Sequence, residues 1–105
     1  TMDLTITTNA SPERYTIGVT GEVDISNASK LRDAIDLALE QPTEAIQLYF
    51  EHVAYIDSTG VGVLVGAAHH AAERGRGFSV VNAQPGVMRV AQLLGVDAEI
   101  SITAL

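Results

Sequence analysis

The chain has 105 residues, a formal net charge of −7, 47% hydrophobic residues and 18% charged residues. This composition is that of a globular protein and excludes a disordered one, and the length suits one domain, residues 1–105, with a single core. The acidic charge argues against nucleic acid as a partner, and the absence of cysteine excludes disulfides and thiolate metal sites. The longest apolar stretch, residues 61–68, is far shorter than the about 20 residues that cross a bilayer. We therefore expect a cytoplasmic protein with neither a nucleic-acid nor a membrane partner.

Two short strands open the chain. Apolar and polar residues alternate over residues 4–8 and again over 15–21, a pattern typical of strands with one buried face. Residues 9–12 between them contain Asn, Ser and Pro and predict a turn. The short connection indicates a β-hairpin.

A helix and a buried strand follow the hairpin. Apolar residues recur at helical spacing over residues 28–39, and the helix is expected to stop before Pro42. Asp24 and Ser26 are both candidate N-caps for it. The largely apolar run over residues 45–50 predicts a central strand buried on both faces.

The second half of the chain alternates helices and strands. A long helix of small residues is expected from residue 58 to about 74, followed by a strand at 78–81. A proline at its first turn and Gly95 beyond its end delimit a further helix over 85–94. The last strand is expected at 98–102.

The predicted order of elements is thus β-β-α-β-α-β-α-β. Such alternation predicts an α/β fold with a mixed, mostly parallel sheet of about five strands and helices packed on it. The strand added by the opening hairpin is antiparallel and lies most simply at one edge of that sheet.

The most informative motif is Asp57-Ser58-Thr59-Gly60, at the expected amino end of the long helix. Free backbone N–H groups and the helix dipole favour negative charge there, so a hydroxyl at this place can cap the helix or accept a phosphate. By itself the motif favours a cap. Gly62 and Gly66 in the same helix each cost about 1 kcal/mol relative to alanine. Two explanations are open and compatible, because a helix has two sides: the helix lies close to the sheet at these glycines, and a smooth first turn lets a partner approach Ser58.

Neither the Asp57–Gly60 motif nor the histidines of the same helix resemble a known catalytic or metal-binding site. Ser58 is not in the Gly-x-Ser-x-Gly sequence of the α/β hydrolases, and no Gly-rich phosphate loop with a lysine precedes the helix. The adjacent histidines at 69–70 point about 100° apart and cannot chelate one metal ion side by side. Asp57 could be the phosphoacceptor of a receiver-like domain, but the only lysine, Lys30, is misplaced for that role. We therefore expect no catalytic residue, metal or cofactor.

Two stretches in this order of elements, Gly21-Glu22-Val23-Asp24 and Ile56 to Leu64, resemble the STAS domain family. More narrowly, the whole chain is similar to the small bacterial anti-sigma factor antagonists. The resemblance implies that Ser58 is phosphorylated by a cognate anti-sigma factor, which is also a serine kinase. It further implies that the unphosphorylated form binds the anti-sigma factor and releases the sigma factor. Phosphorylation then switches binding off, and a phosphatase restores it.

The resemblance also implies a partner-binding surface, together with a regulatory role that needs no enzymatic activity. The residues of this chain that match the surface are Asp24, Asp57, Ser58, Thr59, Gly60, Gly62 and Val63. The main alternative is a STAS module that serves as a structural or scaffold subunit of a signalling or lipid-transport complex, in which the hydroxyls only cap a helix. The receiver-like phosphoaspartate protein is a third.

Overall fold

The computed structural model describes residues 3–105. The strands are β1 (Thr5–Ala10), β2 (Tyr15–Val23), β3 (Ala45–Ile56), β4 (Gly77–Ala83) and β5 (Ser101–Ala104). The helices are α1 (Ala28–Leu39), α2 (Ser58–Glu73) and α3 (Pro85–Leu93), followed by a short 3₁₀ helix at Val96–Ala98. Within the described range, none of these helices combines the length and apolar character needed to cross a membrane.

The five strands form one sheet in the order β1-β2-β3-β4-β5. β1 pairs with β2 in antiparallel orientation at one edge, and β2 to β5 are parallel to one another. β3 is the central strand. The structure confirms the predicted α/β class, the mixed sheet of five strands and the position of the antiparallel hairpin strand.

One face of the sheet carries the core. Ile17, Leu48 and Val80 are neighbours across β2, β3 and β4 and are fully buried. On the opposite face, Tyr49 and Val81 are only half-buried, so the prediction that the central strand is buried on both faces is wrong. The physical reason is topological: β2 to β5 follow one another in a single direction, and right-handed crossovers then place every helix on the same side.

The strands β2 and β3 both run further than the sequence pattern indicates. β3 continues past Phe50 to Ile56, and β2 continues past Gly21 to Val23, which pairs with Ile56. Gly21 has φ +125°, and a Cβ there would lie 2.8 Å from the carbonyl oxygen of Asp3. Only glycine fits this irregular point of β2 without strain. Because both strands extend this far, the carboxyl ends of β2 and β3 lie side by side.

The end of the chain departs from its predicted boundaries. Gly95 has φ +73° and follows the end of α3, as expected of a residue in the left-handed region. The chain then forms the 3₁₀ helix and not a strand, because the backbone N–H groups of Glu99 and Ile100 both donate to the carbonyl of the buried Val96. β5 therefore begins at Ser101, three residues later than predicted.

Candidate functional site

The two stretches singled out in the sequence meet at the carboxyl edge of the sheet. The backbone N–H of Asp57 donates to the carbonyl of Val23 at 3.0 Å. The backbone N–H of Ile25 donates to Oδ2 of Asp57, also at 3.0 Å. The end of β2 and the start of α2 are therefore joined, and Asp24 lies on the same edge of the sheet as Ser58.

Asp57 is the N-cap of α2. It has extended backbone geometry, and its Oδ1 accepts a hydrogen bond from the backbone N–H of Gly60 at 3.0 Å. Its other carboxylate oxygen holds the loop between β2 and α1 through Ile25. Both oxygens of this half-buried side chain thus accept a hydrogen bond: one caps α2, and the other connects α2 to the loop that follows β2.

Ser58 is the first residue of α2 and is exposed. The expectation that its hydroxyl caps the helix is wrong, because Asp57 stands one position earlier and provides the cap. Ser58 instead lies at the amino end of a helix 16 residues long, where the dipole favours negative charge. A phosphate on its hydroxyl is therefore compatible with the fold. Thr59 beside it is exposed as well.

The loop between β2 and α1 holds a negative charge at this edge. Hydrogen bonds from the hydroxyl and the backbone N–H of Ser26 to Oδ1 of Asp24 lower the pKa of Asp24 from its ordinary value. Asp24 is therefore ionised at neutral pH. Neither Asp24 nor Ser26 caps α1, contrary to the prediction, because their side chains bond each other within the loop.

Asn27, which the sequence reasoning missed, organises this loop. It precedes α1, but its side chain makes no cap and turns back toward β2. Its amide nitrogen donates to the carbonyl of Glu22 at 2.8 Å, and its Oδ1 accepts from the backbone N–H of Asp24 at 2.9 Å. An asparagine directly before an apolar helical repeat was the available signal. The carboxamide fixes where the Asp24 charge lies.

The glycines of α2 have two different surroundings. A Cβ on Gly60 would lie 2.7 Å from Cγ1 of Ile56 and 2.7 Å from Cγ1 of Val23, so this glycine lets the helix meet the strand ends closely. At Gly62 and Gly66 a Cβ would meet no heavy atom within 4 Å. The expectation that Gly62 and Gly66 lie close to the sheet is therefore wrong: the close approach is at Gly60, on the opposite side of the helix.

The outer side of α2 borders a groove shared with α1. This α1–α2 groove has a volume of about 330 Å³. Its lining consists of Arg32, Ile35, Asp36, Thr59, Gly62, Val63, Gly66, Ala67 and His70. Three residues of the predicted binding surface, Thr59, Gly62 and Val63, thus lie together here. Gly60 is buried beneath them and supports this surface from within.

A second groove lies on the other side of Ser58, against α3. This α3 groove has a volume of about 360 Å³ and is lined by Tyr55, Ile56, Asp57, Ser58, Val90, Leu93 and Leu94. The sequence reasoning missed its three exposed hydrophobic members, Tyr55, Leu93 and Leu94. The signal was present: adjacent leucines in a helix point about 100° apart, so Leu93 and Leu94 cannot both face the core.

Comparisons with known proteins identify relatives that match nearly the whole chain. A family model described as Mlab, STAS domain matches residues 6–104 of the chain. The anti-sigma-B factor antagonist of Bacillus subtilis (strain 168) is 25% identical over 103 residues, which span 98% of this chain and 94% of that protein.

Solved structures of anti-sigma factor antagonists have the same fold. One from Mycobacterium paratuberculosis has a TM-score of 0.86 at 23% identity, over 98% of this chain and 87% of that one. SpoIIAA in its unphosphorylated form has a TM-score of 0.79 at 24% identity, over 93% and 87% of the two chains. Bacillus SpoIIAA in its phosphorylated form has a TM-score of 0.71 at 23% identity, over 95% and 90%.

Proposed function

The chain belongs to the STAS domain family, and we propose that within it the protein acts as an anti-sigma factor antagonist. Its unphosphorylated form binds a cognate anti-sigma factor, which then releases a sigma factor. The relative that carries this role matches almost the full length of both chains, which supports the proposal. The role depends on binding and requires no catalysis by this chain.

Ser58 is the switch in this proposal, and its phosphorylation by a serine kinase anti-sigma factor ends binding until a phosphatase removes the phosphate. The observation that carries the proposal is that Ser58 is exposed at the first position of α2 while Asp57 caps the helix in its place. A kinase can therefore phosphorylate the hydroxyl of Ser58 without breaking the hydrogen bond that caps the helix. The phosphorylated form in which SpoIIAA has been solved is consistent with such a modification on this fold.

The phosphate acts at the surface and not on the fold. It adds a charge of about −1.5 to −2 at a helix N-terminus, where negative charge is stabilised. The same charge stands beside Asp57 and on the same sheet edge as the ionised Asp24, so it makes an already acidic surface more so. A tenfold loss of affinity needs only about 1.4 kcal/mol. Repulsion and desolvation at an interface readily reach that size.

The test is phosphorylation and binding with a panel of purified anti-sigma factors that have serine kinase activity. With ATP, we expect acid-stable phosphate on Ser58 by mass spectrometry. With ADP, calorimetry should show binding that is kept in Ser58→Ala and lost in Ser58→Glu. The matched control is Ser101→Glu, which adds the same charge to an exposed serine at the start of β5, at the opposite edge of the sheet. It should bind like the wild type.

Three results would contradict the proposal in different ways. Full binding by Ser58→Glu would favour a scaffold role without a phosphoswitch. Acid-labile phosphate on Asp57 would favour a receiver-like protein. No binding of the wild type to any anti-sigma factor of the panel would contradict the antagonist role itself.

A further inference from the structure

Half of the large exposed hydrophobic side chains among the described residues line one groove together with Ser58. Among residues 3–105 the exposed large hydrophobics are Ile25, Leu37, Tyr55, Leu93, Leu94 and Leu105. Three of the six line the α3 groove together with Ser58. The backbone N–H of a fourth, Ile25, bonds Asp57. Single exposed apolar residues are ordinary, whereas a contiguous group at one place marks a surface that meets something.

The fold does not account for the apolar character of this group. Leu93 is 79% exposed and Ile25 is 78% exposed, so neither contributes much to the core. α3 is held instead by Val87 and Ala91, which are buried on its other side. A polar residue at position 93 would therefore cost the folded state little, and the leucine there requires another explanation.

The negative charge of the chain indicates which kind of molecule could bind in the α3 groove. The protein has a net charge of −7, and Asp57 is among the residues that line the groove, with the ionised Asp24 on the same edge of the sheet. A second copy of the chain would bring the same negative charge to the same edge, which disfavours self-association through this groove. A partner with an apolar centre and a basic rim is complementary to it.

We propose that the α3 groove receives an apolar side chain of the anti-sigma factor, which anchors the complex, and that phosphorylation of Ser58 closes the groove to it. The inference rests on the proposed function and adds to it the chemistry of the partner and of the switch. The groove, about 360 Å³, is large enough to receive an apolar side chain of a partner. Because Ser58 forms part of its wall, a phosphate there would lose its hydration when the apolar anchor enters. Desolvation thus reinforces charge repulsion.

The test compares two apolar surfaces with similar exposure. The double variant Leu93→Ser/Leu94→Ser removes the apolar wall of the groove, and Leu37→Ser removes a leucine that is 54% exposed on α1. Binding is measured by calorimetry against the same panel of purified anti-sigma factors with ADP. We expect the double variant to bind about tenfold more weakly or worse. Leu37→Ser should bind like the wild type. Thermal unfolding verifies that both variants fold, and Leu93→Ser alone serves if the double variant does not.

The outcomes separate this inference from the proposed function. If Ser58→Glu abolishes binding and the groove variants bind like the wild type, the groove inference is wrong and the antagonist role stands. If the groove variants lose binding and Ser58→Glu keeps it, the groove is the anchor but Ser58 is not its switch. If the wild type binds no anti-sigma factor, both proposals fail. Light scattering adds a last arm: a wild-type dimer that Leu93→Ser dissociates would make the groove a self-association surface and overturn the inference.

Discussion

The inner and outer sides of the first two turns of α2 contrast sharply. On the inner side, Asp57 caps the helix and Gly60 lets it pack against Ile56 and Val23. On the outer side, Ser58 is exposed and Gly62 has open space where a Cβ would lie. The fold therefore needs Asp57 and Gly60 but does not need Ser58 and Gly62, although all four residues lie within six positions of one another.

This difference indicates how to separate structure from function within one motif. A residue whose type is explained by its contacts, such as Gly60, carries no information about partners. A glycine in a helix interior that costs about 1 kcal/mol without an internal contact to explain it does carry such information. By this criterion we propose the outer side of α2 and the α3 groove as the surfaces that a partner meets.

The largest expected effect comes from filling the inner side. Gly60→Val places a branched side chain where even the first carbon would lie 2.7 Å from both Ile56 and Val23. Overpacking of this kind should lower the free energy of unfolding by about 3 kcal/mol. Chemical denaturation monitored by circular dichroism measures it.

The matched control for this change lies two positions further along the helix. Gly62→Val adds the same side chain on the outer side, where a Cβ has open space. Valine and glycine differ in helix propensity by only a few tenths of a kcal/mol, so its stability should stay near that of the wild type. Equal losses in both variants would mean that the two sides of the helix do not differ as described.

A smaller effect is expected from removing the cap. Asp57→Ala loses the bond to the N–H of Gly60 and the bond to the N–H of Ile25. Together these should lower the free energy of unfolding by about 2 kcal/mol, measured again by denaturation. Asp33→Ala, which removes an exposed carboxylate of α1, is the control for charge and should not destabilise the protein. Wild-type stability in Asp57→Ala would show that the carboxylate does not hold the edge together.

Much of this fold follows from periodicity and punctuation in the sequence. Gly95, and the proline that opens α3, mark their helix ends correctly because their backbone preferences are local. The extension of β2 and β3 to Val23 and Ile56 was not predictable, since it depends on pairing between strands about thirty residues apart. The apolar alternation of a strand determines which of its side chains face the core, but it does not specify which residues of two distant strands pair.

The candidate site divides in the same way. The sequence placed Asp57 and Ser58 at the start of a helix. Which of the two caps the helix depends on the exact residue at which the preceding strand ends, and a shift of one residue exchanges their roles. The second acceptor role of Asp57, toward Ile25, joins residues 32 positions apart and has no local signature. The α3 groove depends on how α3 lies against the end of β3, so only its adjacent leucines could have indicated it.

The smallest effect gives the most specific test of the outer side. Gly62→Ala should raise the free energy of unfolding by about 0.5–1 kcal/mol, because the methyl group meets no heavy atom within 4 Å and the helix gains propensity. The same variant should weaken binding to the anti-sigma factor severalfold if a partner packs closely against the first turns of α2. Gly66→Ala, one turn further from Ser58, should give the same gain in stability with a smaller loss of binding. A loss of stability in Gly62→Ala would mean that the fold requires glycine at this position. Unchanged binding would mean instead that the partner does not contact this side of α2.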